Sequence, residues 1–212
     1  MDELIKATFN ADGHAGKYDK KAEKAKWHAP EIVFGLAFDY IMAGESILDL
    51  GIGTGLSSKL FSKAGLKVYG MDFSEKMLEE CRKKNFAEDL RQHDLSSLPY
   101  PFDDSSMNHA ISVGVFQLIE DTGPIFREAK RIIKKDGLFS FAAMHRKDSE
   151  DKDKQINPKV CGGKPFTVYS QSEEETKSLL SSTGFKLLHK IEFSAVHAGK
   201  KTSFVVYTAR AE

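Results

Sequence analysis

The sequence predicts a doubly wound α/β domain. Its sheet is expected to be seven-stranded and mostly parallel, with an antiparallel last strand and helices on both faces. Three observations predict it. Short β-rich runs alternate with helical patterns along most of the 212 residues, which calls for right-handed crossovers between parallel neighbours. A glycine cluster, Gly51-Ile52-Gly53-Thr54-Gly55, stands between the first such run and the first crossover helix. Near the carboxyl end, two apolar runs are joined by a connection that suits only antiparallel neighbours.

Taken in order, residues 1–28 mix Lys, Asp, His and Ala with few large aliphatics, bury little by themselves, and read as a mobile arm or a lid. Pro30 suits a first helical turn, and Ile32, Val33, Leu36, Ala37, Tyr40 and Ile41 recur at helical spacing through Met42. Ser46–Leu50 is the first strand, and a helix runs from Leu56 to Lys63 after the glycines. Further strands are expected at 66–71, 89–93, 108–113 and 137–143, with helices at 75–84 and 122–134. Gly65 is placed to stop one crossover helix, and Gly137, after Lys134-Lys135-Asp136, to cap another. Residues 145–168, rich in Lys, Asp, Pro and Gly, read as an inserted loop with a turn at Gly162-Gly163. Ser170 and Glu173 form a capping box for a helix reaching Ser182, which Gly184 ends. The last strands, 185–193 and 202–209, meet through His197-Ala198-Gly199-Lys200. One domain spanning residues 1–212 accommodates all of this.

Charge and composition narrow the function. Lys plus Arg and Asp plus Glu both total 31, so no global field draws the chain to nucleic acid or anionic lipid. No leader pattern and no apolar stretch long enough to span a bilayer is seen, so a soluble, cytoplasmic protein without nucleic-acid or membrane partners is expected. Cys81 and Cys161 form neither a disulfide framework nor zinc-ligand spacing, and Cys81, on a helix, reads as inert packing. The sequence leaves the oligomeric state open.

The chemistry concentrates at the glycine cluster. Glycines at alternate positions let backbone approach a ligand at a helix N-terminus. The dinucleotide pattern G-x-G-x-x-G requires glycine where Leu56 stands, which argues against a nicotinamide oxidoreductase, and no triphosphate loop is in register. The second strand ends in Asp72, about 20 residues past the glycines, where a carboxylate can accept both hydrogen bonds of a ribose diol. The third ends in Asp94. With Asp49, these acids are expected at one crevice on the carboxyl edge of the sheet, although Asp72 or Asp94 could instead cap the following helix.

Four segments, LDLGIGTG at 48–55, VYGMDFSEKML at 68–78, QHDLSSLPYPFDDSSMNHAISVGVFQLIED at 92–121 and IIKKDGLFSF at 132–141, together resemble the class I S-adenosylmethionine-dependent methyltransferases. The likeness is greatest to the small ubiquinone-biosynthesis-like, methyltransferase type 11 subgroup. It implies a Rossmann-like fold, S-adenosylmethionine as cofactor, and methyl transfer to a small-molecule acceptor that it does not identify. It further implies that Gly51, Gly53 and Gly55 line the methionine end and ribose, and that Asp49 orients the amino group through water. Asp72 would take the ribose hydroxyls, Phe73 and Met77 would pack on adenine, and Asp94 with the Leu95 backbone would read its polar edge. Gly114 would face the methionine moiety. Phe116-Gln117 replaces the His or other polar residue often found after the fourth strand, and Asn108 replaces the usual Asp before it, so no catalytic role transfers there.

Methyl transfer from a sulfonium is an in-line displacement that needs positioning, exclusion of water and sometimes a base. His145, at the start of the insertion, is either that base or a solvated loop residue. His28, His93 and His109 are assigned no chemistry. Tyr18 is expected to close over the cofactor with the arm, whereas Trp27 serves equally well as an anchor for the next helix. The charge run Lys147–Lys154 reads as a solvated loop. A second role, an inactive S-adenosylmethionine-binding module acting as sensor or partner, would leave the same cofactor residues.

Overall fold

A computed structural model describes residues 3–11, 13–147, 153–156, 166–197 and 200–212. The strands in chain order are β1 (Ser46–Leu50), β2 (Lys67–Asp72), β3 (Ala87–Gln92), β4 (His109–Ser112), β5 (Leu138–Met144), β6 (Asp153–Ile156), β7 (Phe166–Tyr169), β8 (Phe185–His197) and β9 (Lys200–Ala211). Seven of them form one sheet in the order β3-β2-β1-β4-β5-β9-β8. The pairs among β1 to β5 are parallel, and β9 runs antiparallel between β5 and β8. The chain therefore reverses its direction of winding between β1 and β4, where a crevice opens at the strands' carboxyl ends.

The core explains why the strands are so apolar. All seven residues of β5 are buried, as a central strand covered on both faces requires. Along β5, Phe139 and Phe141 point into one layer and Leu138 and Ala142 into the other, following the two-residue period. The first layer holds Phe116, Phe126 and Tyr207 beneath α6 (Gly123–Ile132) and α7 (Glu173–Ser182). The second holds Val33, Phe61 and Leu78 from α3 (Ala29–Ala37), α4 (Ser58–Lys63) and α5 (Glu75–Arg82). Two of the residues set aside by the sequence reading are structural here. The Asn108 side-chain oxygen accepts from Ser46 N–H at 3.1 Å and Ser46 Oγ–H at 2.9 Å, tying β4 to β1. His109 accepts from Leu138 N–H at Nδ1 (3.1 Å) and donates from Nε2 to Glu45 (2.9 Å).

Three expectations are corrected. The capping box is Ser172 with Glu175, not Ser170 with Glu173. Both pairs fit the pattern, but His145 bridges Gln171, so the extended run continues past Ser170. Gly137 does not cap α6, because the helix ends earlier and the left-handed residue is Asp136. Gly137 is needed for close approach instead, since a Cβ there would lie 2.0 Å from the Asn108 carbonyl oxygen. The insertion is not only loop: β6 and β7 pair as an antiparallel ribbon, while Cys161 and Gly162-Gly163 lie outside the described residues. The amino-terminal arm forms α1 (Glu3–Phe9) and α2 (Tyr18–Lys24), with Leu4, Phe9 and Trp27 packed against the cluster that contains Ile5. Ile5, 1% exposed, packs with Met144, Val168, Ala195 and Phe204. Among the described residues, no helix is long and apolar enough to cross a membrane.

Candidate functional site

The site begins where β1 gives out. The chain leaves Leu50 through Gly51 (φ +81°) and Gly53 (φ +55°), backbone conformations that only glycine adopts without strain. Both glycines also border a cleft closely: a Cβ at Gly51 would stand 2.5 Å from Val115, and one at Gly53 would stand 3.2 Å from Met77. Asp72, at the end of β2, holds this turn from the side. Its two carboxylate oxygens accept from Gly53 N–H and Ser74 N–H, each at 2.9 Å. Asp49, on β1, accepts a hydrogen bond from the Ser58 hydroxyl.

Neither carboxylate has a cation partner among the described residues. Asp49 is 2% and Asp72 8% exposed, and burial is the main reason both resist ionisation. The Asp49 carboxyl is pushed up to about 7, its neighbour's negative charge adding to burial and the Ser58 bond opposing it. Asp72 rises to about 6, held lower by its two backbone N–H bonds. A site with two buried acids and no compensating charge favours a cationic guest.

The cleft's apolar walls are Phe73, Met77, Leu95, Val113, Val115 and Leu118, with Gly114 opposite the glycine turn. Its roof is the arm. Phe9 meets Phe73 edge-on at 5.9 Å, and Tyr18 and Trp27 close the side near Gly114. Trp27 also packs on Phe204 at 4.8 Å and Phe193 at 5.6 Å, so it anchors the arm while lining the cleft. Polar latches complete the closure: Ser74 Oγ–H donates to Asn10 (2.7 Å), and Asp19 accepts from Thr54 and Lys84, each at 2.5 Å. The free space left is about 50 Å³, far below the roughly 300 Å³ at which small-molecule sites begin.

Nine residues expected at one site are thus brought together: Tyr18, Asp49, Gly51, Gly53, Asp72, Phe73, Met77, Leu95 and Gly114. Three are not. Gly55 turns away from the cleft, where a Cβ would lie 2.4 Å from Phe86 and 2.7 Å from Cys81, so it serves the packing of α5. Asp94 forms a turn with Ser96 N–H (2.8 Å) and pairs with Lys6 of α1 at 3.0 Å. Burial opposes its ionisation, but those two contacts outweigh it and hold the carboxyl below its ordinary range. His145 follows β5 and bridges Gln171, half-buried, with Nδ1 lacking a hydrogen-bond partner among the described residues. It is neither in the cleft nor a solvated loop residue. Cys81 is buried packing, its thiol pushed up to about 12 chiefly by burial. Sequence reasoning missed Phe9, although it is the only phenylalanine before Phe34 and stands four residues past Ile5, on the same helical face.

Residues 48–141 match the family model described as a methyltransferase domain. Over 98 residues the chain is 37% identical to a demethylmenaquinone methyltransferase of Clavibacter sepedonicus, covering 45% of this chain and 40% of that protein. Over 130 residues it is 28% identical to a malonyl-[acyl-carrier protein] O-methyltransferase of Serratia marcescens, covering 61% and 49%. The matches span about half the length of these curated relatives or less. The magnesium protoporphyrin IX methyltransferase of Synechocystis, solved with bound S-adenosylmethionine, shares the fold at a TM-score of 0.70 and 17% identity, covering 100% of this chain and 98% of that one.

Proposed function

Because residues 48–141 match the methyltransferase domain family model, we propose that this chain binds S-adenosylmethionine in the glycine cleft and transfers its methyl group to a small-molecule acceptor, an activity of class EC 2.1.1. The observation that carries this reading is the pair of buried, uncompensated carboxylates flanking a left-handed glycine turn. S-adenosylmethionine brings an ammonium and a sulfonium, the charges this site lacks.

The residues present suit the cofactor. Each oxygen of Asp72 is engaged by one N–H and keeps a lone pair for a ribose hydroxyl. Asp49 orients the amino group through water, Gly51, Gly53 and Gly114 admit the methionine end, and Phe73 and Met77 cover adenine beside the Leu95 backbone. Asp94 is a positioning residue in this reading, holding the Leu95 segment through Ser96 while Lys6 occupies its charge. His145 and Gly55 receive no role at the cofactor. When bound, the cofactor supplies a methyl group on positively charged sulfur, open to in-line displacement. The chain's part is to fix that group and keep water from it, which Phe9, Tyr18 and Trp27 do from above.

The test is incubation with methyl-labelled S-adenosylmethionine and a metabolite pool. Labelled product together with S-adenosylhomocysteine is expected. Cofactor binding without label transfer to any acceptor would instead assign the chain the role of a binding module.

A further inference from the structure

A second cavity, of about 400 Å³, lies beside the glycine cleft and shares Leu95 and Leu118 with it. It is of the size that holds a small organic molecule. Ile5 of α1, Ile119 and Ile125 make its walls apolar, and Leu98 on its rim stays 51% exposed, a large aliphatic group with no cover of its own. Strand β7 closes it through Thr167 and Tyr169.

The charge at this cavity is of one sign. Glu120 and Asp121 stand at its edge, both exposed, and no Lys, Arg or His lines it among the described residues. The N-terminus of α6 would ordinarily attract an anion. Here that position is taken, because the Asp121 carboxylate already accepts from Gly123 N–H at 2.9 Å. An anionic guest would meet two carboxylates and, among the described lining residues, no cation.

We propose that this cavity is the methyl-acceptor pocket, and that it selects a neutral or cationic molecule bearing an apolar ring or chain while turning away carboxylates and phosphates. The proposal rests on the methyl-transfer reading of the neighbouring cleft. Leu118, which lines both and stands four residues past Gly114, puts an acceptor here beside the methionine end of the cleft, where the methyl group would be carried. An acceptor lone pair bonds to the methyl carbon as the carbon–sulfur bond breaks. That bond's electrons remain on sulfur, and any proton lost by the acceptor passes to water.

The test uses three matched probes, 2-naphthol, 2-naphthylmethylamine and 2-naphthoate, titrated calorimetrically into protein saturated with S-adenosylhomocysteine. The naphthol and the amine are expected to bind, and the carboxylate to bind about tenfold more weakly or not at all. Glu120→Lys, a surface change, should narrow that gap. Ile119→Trp should fill the cavity and weaken the two bound probes by about tenfold or more, with affinity for S-adenosylhomocysteine unchanged as the sign of an intact fold. The proposal is overturned if no probe binds the saturated protein, if naphthoate binds as tightly as the amine, or if Ile119→Trp folds and leaves probe binding intact. Failure of S-adenosylhomocysteine itself to bind strikes the cofactor reading instead, and titrating the probes into free protein then reads the cavity separately.

Discussion

The floor and the roof of the cleft are built differently. The floor consists of Asp49, the glycine turn and Asp72, all at the ends of adjacent parallel strands whose register is fixed over five residue pairs. The roof consists of Phe9 and Tyr18 on short helices and Trp27 on the connection between α2 and α3, held by aromatic contacts, a few side-chain hydrogen bonds and the small cluster around Ile5. Groups on a packed scaffold keep their geometry whether or not a ligand is present, whereas short helices packed on a few side chains open at low cost. The floor should therefore set how tightly the cofactor is held, and the roof how fast it arrives.

The largest effect is expected at the floor's centre. Gly53→Val puts a branched side chain at φ +55° and within reach of Met77. Calorimetry should find S-adenosylhomocysteine affinity reduced by about a thousandfold or more, with the melting transition still cooperative. Near-normal affinity would show that the turn does not touch the ligand. Asp72→Ala comes next, since it removes charge-assisted acceptors for the ribose and frees Gly53 N–H. A loss of roughly 2 to 4 kcal/mol in binding is expected, and unchanged affinity would remove Asp72 from the ribose site.

That contrast also explains what the sequence revealed. The floor was legible because strand ends, glycines and acids follow one another within 24 residues, from Asp49 to Asp72, and each obeys a local rule. The mostly parallel sheet followed from the alternation of elements, whereas the order of its strands came only from the structure. The roof was not legible, because Phe9 acquires its meaning only from Phe73, which is 64 residues away in the chain. Asp94 was read as a ligand group for the same reason: its partner Lys6 comes from the arm, and no local pattern announces a pair so distant in sequence. Ser170 failed differently, through two overlapping capping patterns that only the His145–Gln171 bridge decides between.

A third effect, smaller than either substitution, probes the floor's charge. The Asp49 and Asp72 carboxyls ionise near 7 and 6 in the free protein because burial favours their neutral forms. A cationic ligand requires them charged, so protonation competes with it. Affinity for S-adenosylmethionine should be constant above the higher value and fall as pH drops through 7 towards 5, by about tenfold between pH 8 and pH 6. The free protein has the opposite dependence on these two groups. Its folded pKa values exceed the unfolded ones, so they favour the folded state more as pH falls from about 7 towards 4. Asp49→Asn should flatten the upper part of the binding profile. An affinity that is level from pH 8 to pH 5 in the native sequence would mean the acids do not face the ligand's charges.

The smallest equilibrium effect is expected at the roof, and it differs in kind. With Phe9 against Phe73 and about 50 Å³ free, the closed form has no room for a cofactor-sized molecule, so the arm must draw back before binding. The observed association rate is then the intrinsic rate multiplied by the fraction of time the roof is open. Phe9→Ala removes the ring that fills the cleft and meets Phe73, His14 and Tyr18, and it should raise that fraction. The same ring covers the bound ligand, so its loss also speeds release. The two changes offset each other in the dissociation constant. Stopped-flow measurement should show association and dissociation of S-adenosylhomocysteine both faster by about tenfold, with affinity altered less than either rate. Hydrogen exchange should show faster exchange of residues 3–28 in the free variant than in the native chain, while β1 and β2 stay protected. If Phe9→Ala instead lowers affinity as far as Asp72→Ala does and leaves association unchanged, the roof is part of the binding surface, and the distinction between holding and admitting the cofactor fails.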